Sequence, residues 1–432
     1  MQYLSTRGRA PAIGLGAALA AGLAPDGGLY VPDAWPRLDA DAFDGADDLA
    51  AIAAPLLAPF FAGDALATEL DAICREAFDV AAPLRAIAPR TELLELFHGP
   101  TAAFKDFGAR FLAACLARTP RADARALTVL VATSGDTGAA VAAAFHGRPG
   151  FRVVILYPDG RVSPRQAHQL GAFGGNVVAL RVAGSFDDCQ ALVKRALADD
   201  ALRRDVPLTS ANSISLGRLL PQMAYYAQAA LRHRRAGRAA PCFAIPTGNL
   251  GNALACILAR TLGLPIGDVV LATNANRVLP EFFAGHDYAP RASVATLANA
   301  MDVCAPSNFE RLRRLYGDDD DALRAAFRAE AVDDDAIRAT LRGARARYGT
   351  LVCPHTAAAL HVLERRRAEG DARDFVVAAT AHPAKFETVI EPLTGEAVDV
   401  PPALASLLAR PARAEPLPAD YAALKRRLRP DR

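Results

Sequence analysis

From residue 127 onward, short continuous apolar runs alternate with stretches of helical periodicity. Leu127-Thr-Val-Leu-Val-Ala132 is followed by the loop Thr133-Ser-Gly-Asp-Thr-Gly138 and by a helical stretch over 139–145. Residues 152–157 and 177–182 read as further strands; between them, Ser163-Pro164 has the cap-then-proline order of a helix start. A helix is predicted over 186–198, and strands over 242–245, 269–273 and 375–379, with a helical stretch between the first two of these. Strands apolar on both faces belong to sheets covered on both sides, so the pattern predicts an α/β fold with parallel sheets.

The first ninety residues read differently. They are rich in Ala, Leu and Asp, hold the only tryptophan, Trp35, and carry helical patterns over 47–57 and 66–78. Pro83 and Pro89 interrupt the pattern, which sets an N-terminal module at 1–90 and a main body at 91–398. Residues 399–432 are rich in Pro and Arg and read as a surface tail. Arg7 and Arg9 ahead of an apolar run over 12–24 mimic a secretory leader, but the run is mostly Ala and Gly and has no A-x-A-like site before Pro25. No other apolar stretch reaches the roughly 18 residues of a membrane helix, so a cytoplasmic protein without membrane contact is expected. Acid runs at 317–322 and 333–335 fit helix starts, where carboxylates favour the dipole.

Composition narrows the chemistry. Of 432 residues 52% are hydrophobic, enough for a large core, and the net charge of +2 is not gathered into the basic stripe of a nucleic-acid binder. Seven scattered cysteines suit reduced thiols; Cys353-Pro-His355 lacks a second ligand pair, so no metal site is assigned. The bases are strongly biased: among 49, only Lys105, Lys194, Lys385 and Lys425 are lysines. Arginine cannot form an imine. Lys105 lies among Ala103, Phe104 and Phe107, a setting that depresses an amine's pKa and makes its nucleophilic form accessible. Lys385 reads as structure or loop charge.

Two Gly- and hydroxyl-rich loops, 133–138 and Pro246-Thr-Gly-Asn-Leu-Gly-Asn252, each follow a buried strand and open a helix. Backbone N–H groups and the helix dipole converge there on an anion. Neither G-x-x-x-x-G-K-[ST] nor G-x-G-x-x-G occurs, which disfavours P-loop and dinucleotide sites. An imine-forming lysine with a phosphate cup is the minimum equipment for pyridoxal 5'-phosphate. Ser134, Thr137, Asn212, Ser213 and Arg218 are the polar groups expected around a substrate phosphate or carboxylate. Arg218 is the sharpest of them, because a guanidinium matches phosphate oxygens bidentately.

His98-Gly-Pro-Thr-Ala-Ala-Phe-Lys-Asp-Phe107, Thr133-Ser-Gly-Asp-Thr-Gly138, Ser210-Ala-Asn-Ser213 with Arg218, and Thr380-Ala-His-Pro-Ala-Lys-Phe386 together resemble the threonine synthase family. Tyr3-x-Ser-Thr-Arg-Gly8 and Gly22-Leu-Ala-Pro-Asp-Gly-Gly-Leu-Tyr-Val-Pro32 match its subfamily with an extra N-terminal domain, and the likeness runs to at least Pro392. The resemblance implies the tryptophan-synthase-β-like fold: two doubly wound α/β subdomains with pyridoxal phosphate in the cleft between them, plus the N-terminal module. It implies Lys105 as the Schiff-base lysine, and Gly248, Asn249, Leu250, Gly251 and Asn252 as the cofactor-phosphate cup. Thr380 would face the pyridine nitrogen, where a neutral hydroxyl makes a weaker electron sink than an aspartate. Leu250 replaces the family's usual aromatic, and Asn252 stands where relatives can have Asp. Asp136 occupies a position where related folds place an asparagine near the ring hydroxyl; its role stays open.

The implied reaction converts O-phospho-L-homoserine and water to L-threonine and phosphate, in a monomer or homodimer whose partner is a small molecule. A threonine dehydratase or an eliminating phospholyase of the same fold is the nearer alternative, and a non-catalytic binding protein the farther one. The purified protein is expected to show a yellow band that Lys105→Ala abolishes. A wild type that stays colourless after pyridoxal phosphate is added would contradict the reading.

Overall fold

The computed structural model describes residues 1–121 and 123–429. In the N-terminal module, β1 (Tyr3–Ser5) and β2 (Tyr30–Pro32) pair antiparallel. The leader-like run forms the helix Leu15–Ala21, which buries Leu15, Ala18 and Leu19. Two longer segments follow, Leu49–Phe61 and Leu70–Ala77, both capped by or close to acidic residues as the amphipathic pattern predicts.

The main body is two sheets. The larger holds β3 (Leu84–Ala88), β4 (Thr91–Glu95), β9 (Cys242–Pro246), β10 (Val269–Thr273), β11 (Arg328–Ala331) and β12 (Phe375–Ala379), in the order β11-β10-β9-β12-β4-β3. All its pairings are parallel except the β3–β4 hairpin. The smaller holds β5 (Leu127–Ala132), β6 (Phe151–Pro158), β7 (Val177–Ala183), β8 (Leu208–Ser210) and β13 (Glu415–Pro418), in the order β13-β7-β6-β5-β8, all parallel. Every residue of β5, β9, β10 and β12 is buried, as expected of strands covered on both faces. The predicted helix over 186–198 is present as Phe186–Ala198, and Ser163 caps Pro164–Gly171 with a complete capping box. Asp319 and Asp333 cap the helices at the two acid runs.

The chain builds β3 and β4 into the large sheet, crosses to lay down β5–β8, returns for β9–β12, and ends in the small sheet with β13. Loops at strand carboxyl ends therefore come from both sheets: Lys105 follows β4, residues 133–138 follow β5, Asn212 and Ser213 follow β8, residues 247–252 follow β9, and Thr380 follows β12. Ligand clefts of open α/β sheets lie at such ends.

Two expected boundaries shift. The division at residue 90 cuts the β3–β4 hairpin at its turn, where Arg90 has φ 54°, so the large sheet begins at Leu84. Nor is 399–432 a surface tail over its described part. Pro402–Leu408, β13 and the helix Tyr421–Leu428 are folded, and Leu404, Leu417, Leu424 and Leu428 are buried. The Pro-rich composition misled because β13 is an edge strand: hydrogen-bonded on one side only, it accommodates Pro416 and Pro418. Among the described residues no helix is long and apolar enough to cross a membrane.

One buried side chain ties the module to the body. Arg311, 2% exposed, donates from Nε to Tyr30 O (3.0 Å), from Nη1 to Asn308 Oδ1 (2.8 Å) and from Nη2 to Ile214 O (2.7 Å). Burial pushes its guanidinium down to about 9. Arg311→Met leaves the Tyr30 and Ile214 carbonyls buried without donors, at about 1–3 kcal/mol each. Denaturant unfolding is expected to show a loss of about 3 kcal/mol; a change within experimental error would deny Arg311 this role.

Candidate active site

Lys105 is the first residue of the helix Lys105–Arg118. The loop before it is held by neighbours: Phe104 N–H donates to Thr380 O (2.9 Å) and His382 N–H to Ala102 O (3.0 Å), lacing it to the Thr380 segment. Ala102 takes a left-handed φ of 55° in this crossing. Thr101 donates from Oγ1 to Asp106 Oδ1 (2.6 Å) and from its backbone N–H to Oδ2 (2.9 Å), so Asp106 is engaged within the loop. Gly99 is required there, since a Cβ would lie 2.4 Å from Asp106 Oδ2.

Facing Lys105 is a buried charge network. Asp136, at the start of the helix Asp136–Phe145, accepts from Lys385 Nζ (2.9 Å) and Gln166 Nε2 (2.9 Å). Lys385 is fully buried and also donates to Thr101 O (2.7 Å), so of the two roles expected for it, structure or loop charge, it takes the structural one. Burial opposes ionisation of Asp136, but Lys385 and Lys105 outweigh it and hold the carboxyl below the usual carboxylate range. Burial pushes Lys105 down to about 8; Asp136 opposes that shift, and Arg218 and Lys385 add to it. His355, buried beside them, is pushed down to about 4, and its Nε2 accepts from Ala300 N–H (3.1 Å). It is a neutral acceptor.

Two cavities meet at Lys105. The inner is lined by residues 247–252, Asp136, Arg218, His355 and Thr380; the outer by Ser134, Asn212, Phe186, Gln190 and Lys194. Lys105, Thr137, Ser213 and Asn249 belong to both. In the inner cavity Leu250 adopts φ 61°, which turns the cup's backbone into the helix Gly251–Thr261. Asn249 spans the two loops, donating to Ser213 Oγ (2.5 Å) and accepting from Ser307 N–H (2.5 Å). Asn252 Oδ1 accepts from the hydroxyls of Tyr225 (2.6 Å) and Tyr226 (2.9 Å), which fixes its amide.

The structure thus brings Ser134, Thr137, Asn212 and Ser213 together along the outer cavity and sets Arg218 with Thr137 and Ser213 on the inner one. Arg218 is 2% exposed, lines only the inner cavity, and donates from Nη1 to Ala211 O (2.5 Å). Asn212 uses its side chain to brace β5, donating to Ala132 O (2.7 Å) and accepting from Ala132 N–H (3.3 Å).

Comparison with known proteins gives this arrangement a family. Residues 93–380 match the family model of pyridoxal-phosphate dependent enzymes, residues 2–78 that of the threonine synthase N terminus, and residues 356–427 that of the threonine synthase C-terminal region. The threonine synthase of Escherichia coli K12 is 40% identical over 412 residues, 95% of each chain. This chain belongs to the threonine synthase family. The crystal structure of the E. coli threonine synthase superposes with a TM-score of 0.92 at 37% identity, covering 99% of both chains. A pyridoxal-phosphate-bound threonine synthase from Brucella melitensis gives 0.90 at 35% identity, over 99% of this chain and 98% of that one. The fold is the tryptophan-synthase-β-like fold of the pyridoxal-phosphate enzymes, and pyridoxal 5'-phosphate is the cofactor.

The inner cavity fits that cofactor. Asn252 Nδ2 is a buried donor with no hydrogen-bond partner among the described residues, in the wall that the cup forms. A Cβ at Gly248 would come 2.7 Å from Met301 Cα, so the cup admits no side chain there. Lys105 supplies the amine and Thr380 a neutral hydroxyl at the same cavity.

Sequence reasoning weighed Lys385 and His355 without assigning either to the site, and left Lys194 aside. The rarity of lysine, which singled out Lys105, applies equally to Lys194 and Lys385 and would have found both. His355 carried no such signal, because its role depends on the fold alone.

The Lys385–Asp136 pair makes an energetic prediction. Lys385→Met strands a buried carboxylate and is expected to cost about 3–5 kcal/mol in the apoprotein. Adding Asp136→Asn removes that charge and restores most of the loss. Additive losses in unfolding experiments would show that the two side chains are not coupled.

Proposed function

We propose that this protein is a threonine synthase, a lyase converting O-phospho-L-homoserine and water to L-threonine and phosphate. The observation that carries the reading is the position of Lys105, a low-pKa amine at the junction of a cup-lined cavity and a hydroxyl-lined one. Bound pyridoxal phosphate supplies an electron sink conjugated to the substrate's α-carbon. The residues proposed to hold it are Lys105, the cup Gly248–Asn249–Leu250–Gly251–Asn252 with Asn252 Nδ2 toward its phosphate, and Thr380 toward its ring nitrogen.

Lys105 Nζ, whose neutral form burial makes accessible by pushing it down to about 8, is the base for the substrate's α-proton and the acid that returns protons later. A β-proton then leaves, the bond from Cγ to the phosphate oxygen breaks, Cγ gains the proton that makes it a methyl group, and water adds at Cβ. Ser134, Thr137 and Ser213 line the space in which the substrate is oriented. Asp136 is not a proton donor here, because it is held ionised, and His355 Nε2 is occupied as an acceptor.

Incubation with O-phospho-L-homoserine is expected to release threonine and inorganic phosphate in equal amounts. Formation of 2-oxobutanoate as the main product would assign the protein to a different lyase activity.

A further inference from the structure

Among the described residues that line the inner cavity, Asp136 is the one carboxylate, and it shares that wall with Lys105, Arg218 and His355. Its two oxygens are treated differently. Oδ1 accepts from Lys385 Nζ (2.9 Å) and from Gln166 Nε2 (2.9 Å). Oδ2 accepts no hydrogen bond among the described residues. Neither Lys385 nor Gln166 lines either cavity, so both partners of Oδ1 stand behind the wall, and Oδ2 is the oxygen left to the cavity.

This orientation is built from the sequence upward. Ser163 opens the helix Pro164–Gly171 with a capping box, in which Gln166 Oε1 accepts from Ser163 N–H (3.2 Å). The other end of that amide, Nε2, is thereby turned to Asp136. Gly135 makes the approach possible: its φ is 129°, and a Cβ there would lie 2.7 Å from Gln166 Cδ. Lys385 is held from its other side by Thr101 O (2.7 Å). Two donors, each anchored elsewhere, therefore fix one oxygen of the carboxylate and leave the second unpaired.

Burial opposes a charge on Asp136, but Lys385, Lys105 and His355 outweigh it and keep the carboxyl ionised. At Lys105 the balance runs the other way: burial, Arg218 and Lys385 push the amine down to about 8, and Asp136 is the group that holds it up. Arg218 and Lys385 are drawn as well to Asp106, whose carboxylate is bonded to Thr101, and His355 uses Nε2 to accept from Ala300 N–H. Once Lys105 is joined to the cofactor, the carbon bonded to its nitrogen is more open to attack by an incoming amine when that nitrogen carries a proton. Resting on the proposed role of Lys105, we infer that Asp136 is the counter-ion of its Schiff-base nitrogen, Oδ2 holding the proton there, and that Lys385 and Gln166 are positioning residues that keep Oδ2 in place. A neutral amide at this position could orient the nitrogen but could not stabilise its charge.

The test is a pH titration of the visible band of the holoenzyme without substrate. Asp136→Asn is expected to lower its midpoint by about one to three pH units, the effect of losing an opposite charge at close range. That substitution strands the buried Lys385, so the double variant with Lys385→Met is titrated beside it. Loss of the Lys385 cation should bring the midpoint part of the way back, still below wild type, because Asp136 acts on Lys105 more strongly than Lys385 does. Accumulated structural damage would carry it further away. A midpoint at or above the wild-type value in either variant, or a double variant further from wild type than the single one, would overturn the assignment. A visible band that persists in Lys105→Ala would instead remove the proposed role of Lys105.

Discussion

Lys105, Lys385 and Arg218 gather around one low-dielectric space, and among the described residues the carboxylates buried with them are Asp136 and Asp106. Lys385 has Asp136 at 2.9 Å, and Arg218 is stabilised by Asp106, although burial still pushes it down to about 10. Lys105 is the cation left over. It feels the attraction of Asp136, but that carboxylate is already bonded to Lys385, and the surplus positive charge is relieved when Lys105 gives up its proton. Burial first, and then Arg218 and Lys385, push Lys105 down to about 8 against the attraction of Asp136, so the amine that must be a nucleophile is available in its neutral form. Burial likewise pushes His355 down to about 4, against the attraction of Asp136 and with help from Lys105 and Lys385.

The shape of the cleft depends on contacts made far apart in sequence. Asn249 joins the cup to Ser213 and Ser307; Asn308 donates to Ser213 O (3.2 Å) and Asn249 O (3.0 Å); Arg311 holds Asn308, Ile214 and Tyr30. The N-terminal module thus reaches the substrate loops through the Arg311 guanidinium. Thr6 adds a hydrogen bond to Glu310 (2.7 Å), beside that guanidinium in sequence. Gly22 packs where a Cβ would be 3.3 Å from Ser210 O, at the end of β8. The module is part of the scaffold that sets loop positions.

What the sequence revealed followed from burial. β5, β6, β9, β10 and β12 are apolar on both faces, so their runs stand out without any alignment. β3 is only partly buried, β8 spans three residues, and β13 alternates with proline; none presents a continuous apolar run. Lys105 was legible because its type was rare and its setting apolar. Arg218 stood out because a guanidinium suits phosphate; that it is buried in the wall of the inner cavity was not legible, since only packing decides it.

The two prolines of β13 have an effect beyond their own strand. In period two, Pro416 and Pro418 have no N–H to give in a strand that is paired on one side only, with β7. An exposed edge of a parallel sheet is a template for pairing with another chain. Here that template is broken by residues that have no amide hydrogen to give. The chain's last strand thereby ends the sheet as well as extending it, protecting the folded protein against edge-to-edge aggregation along that side.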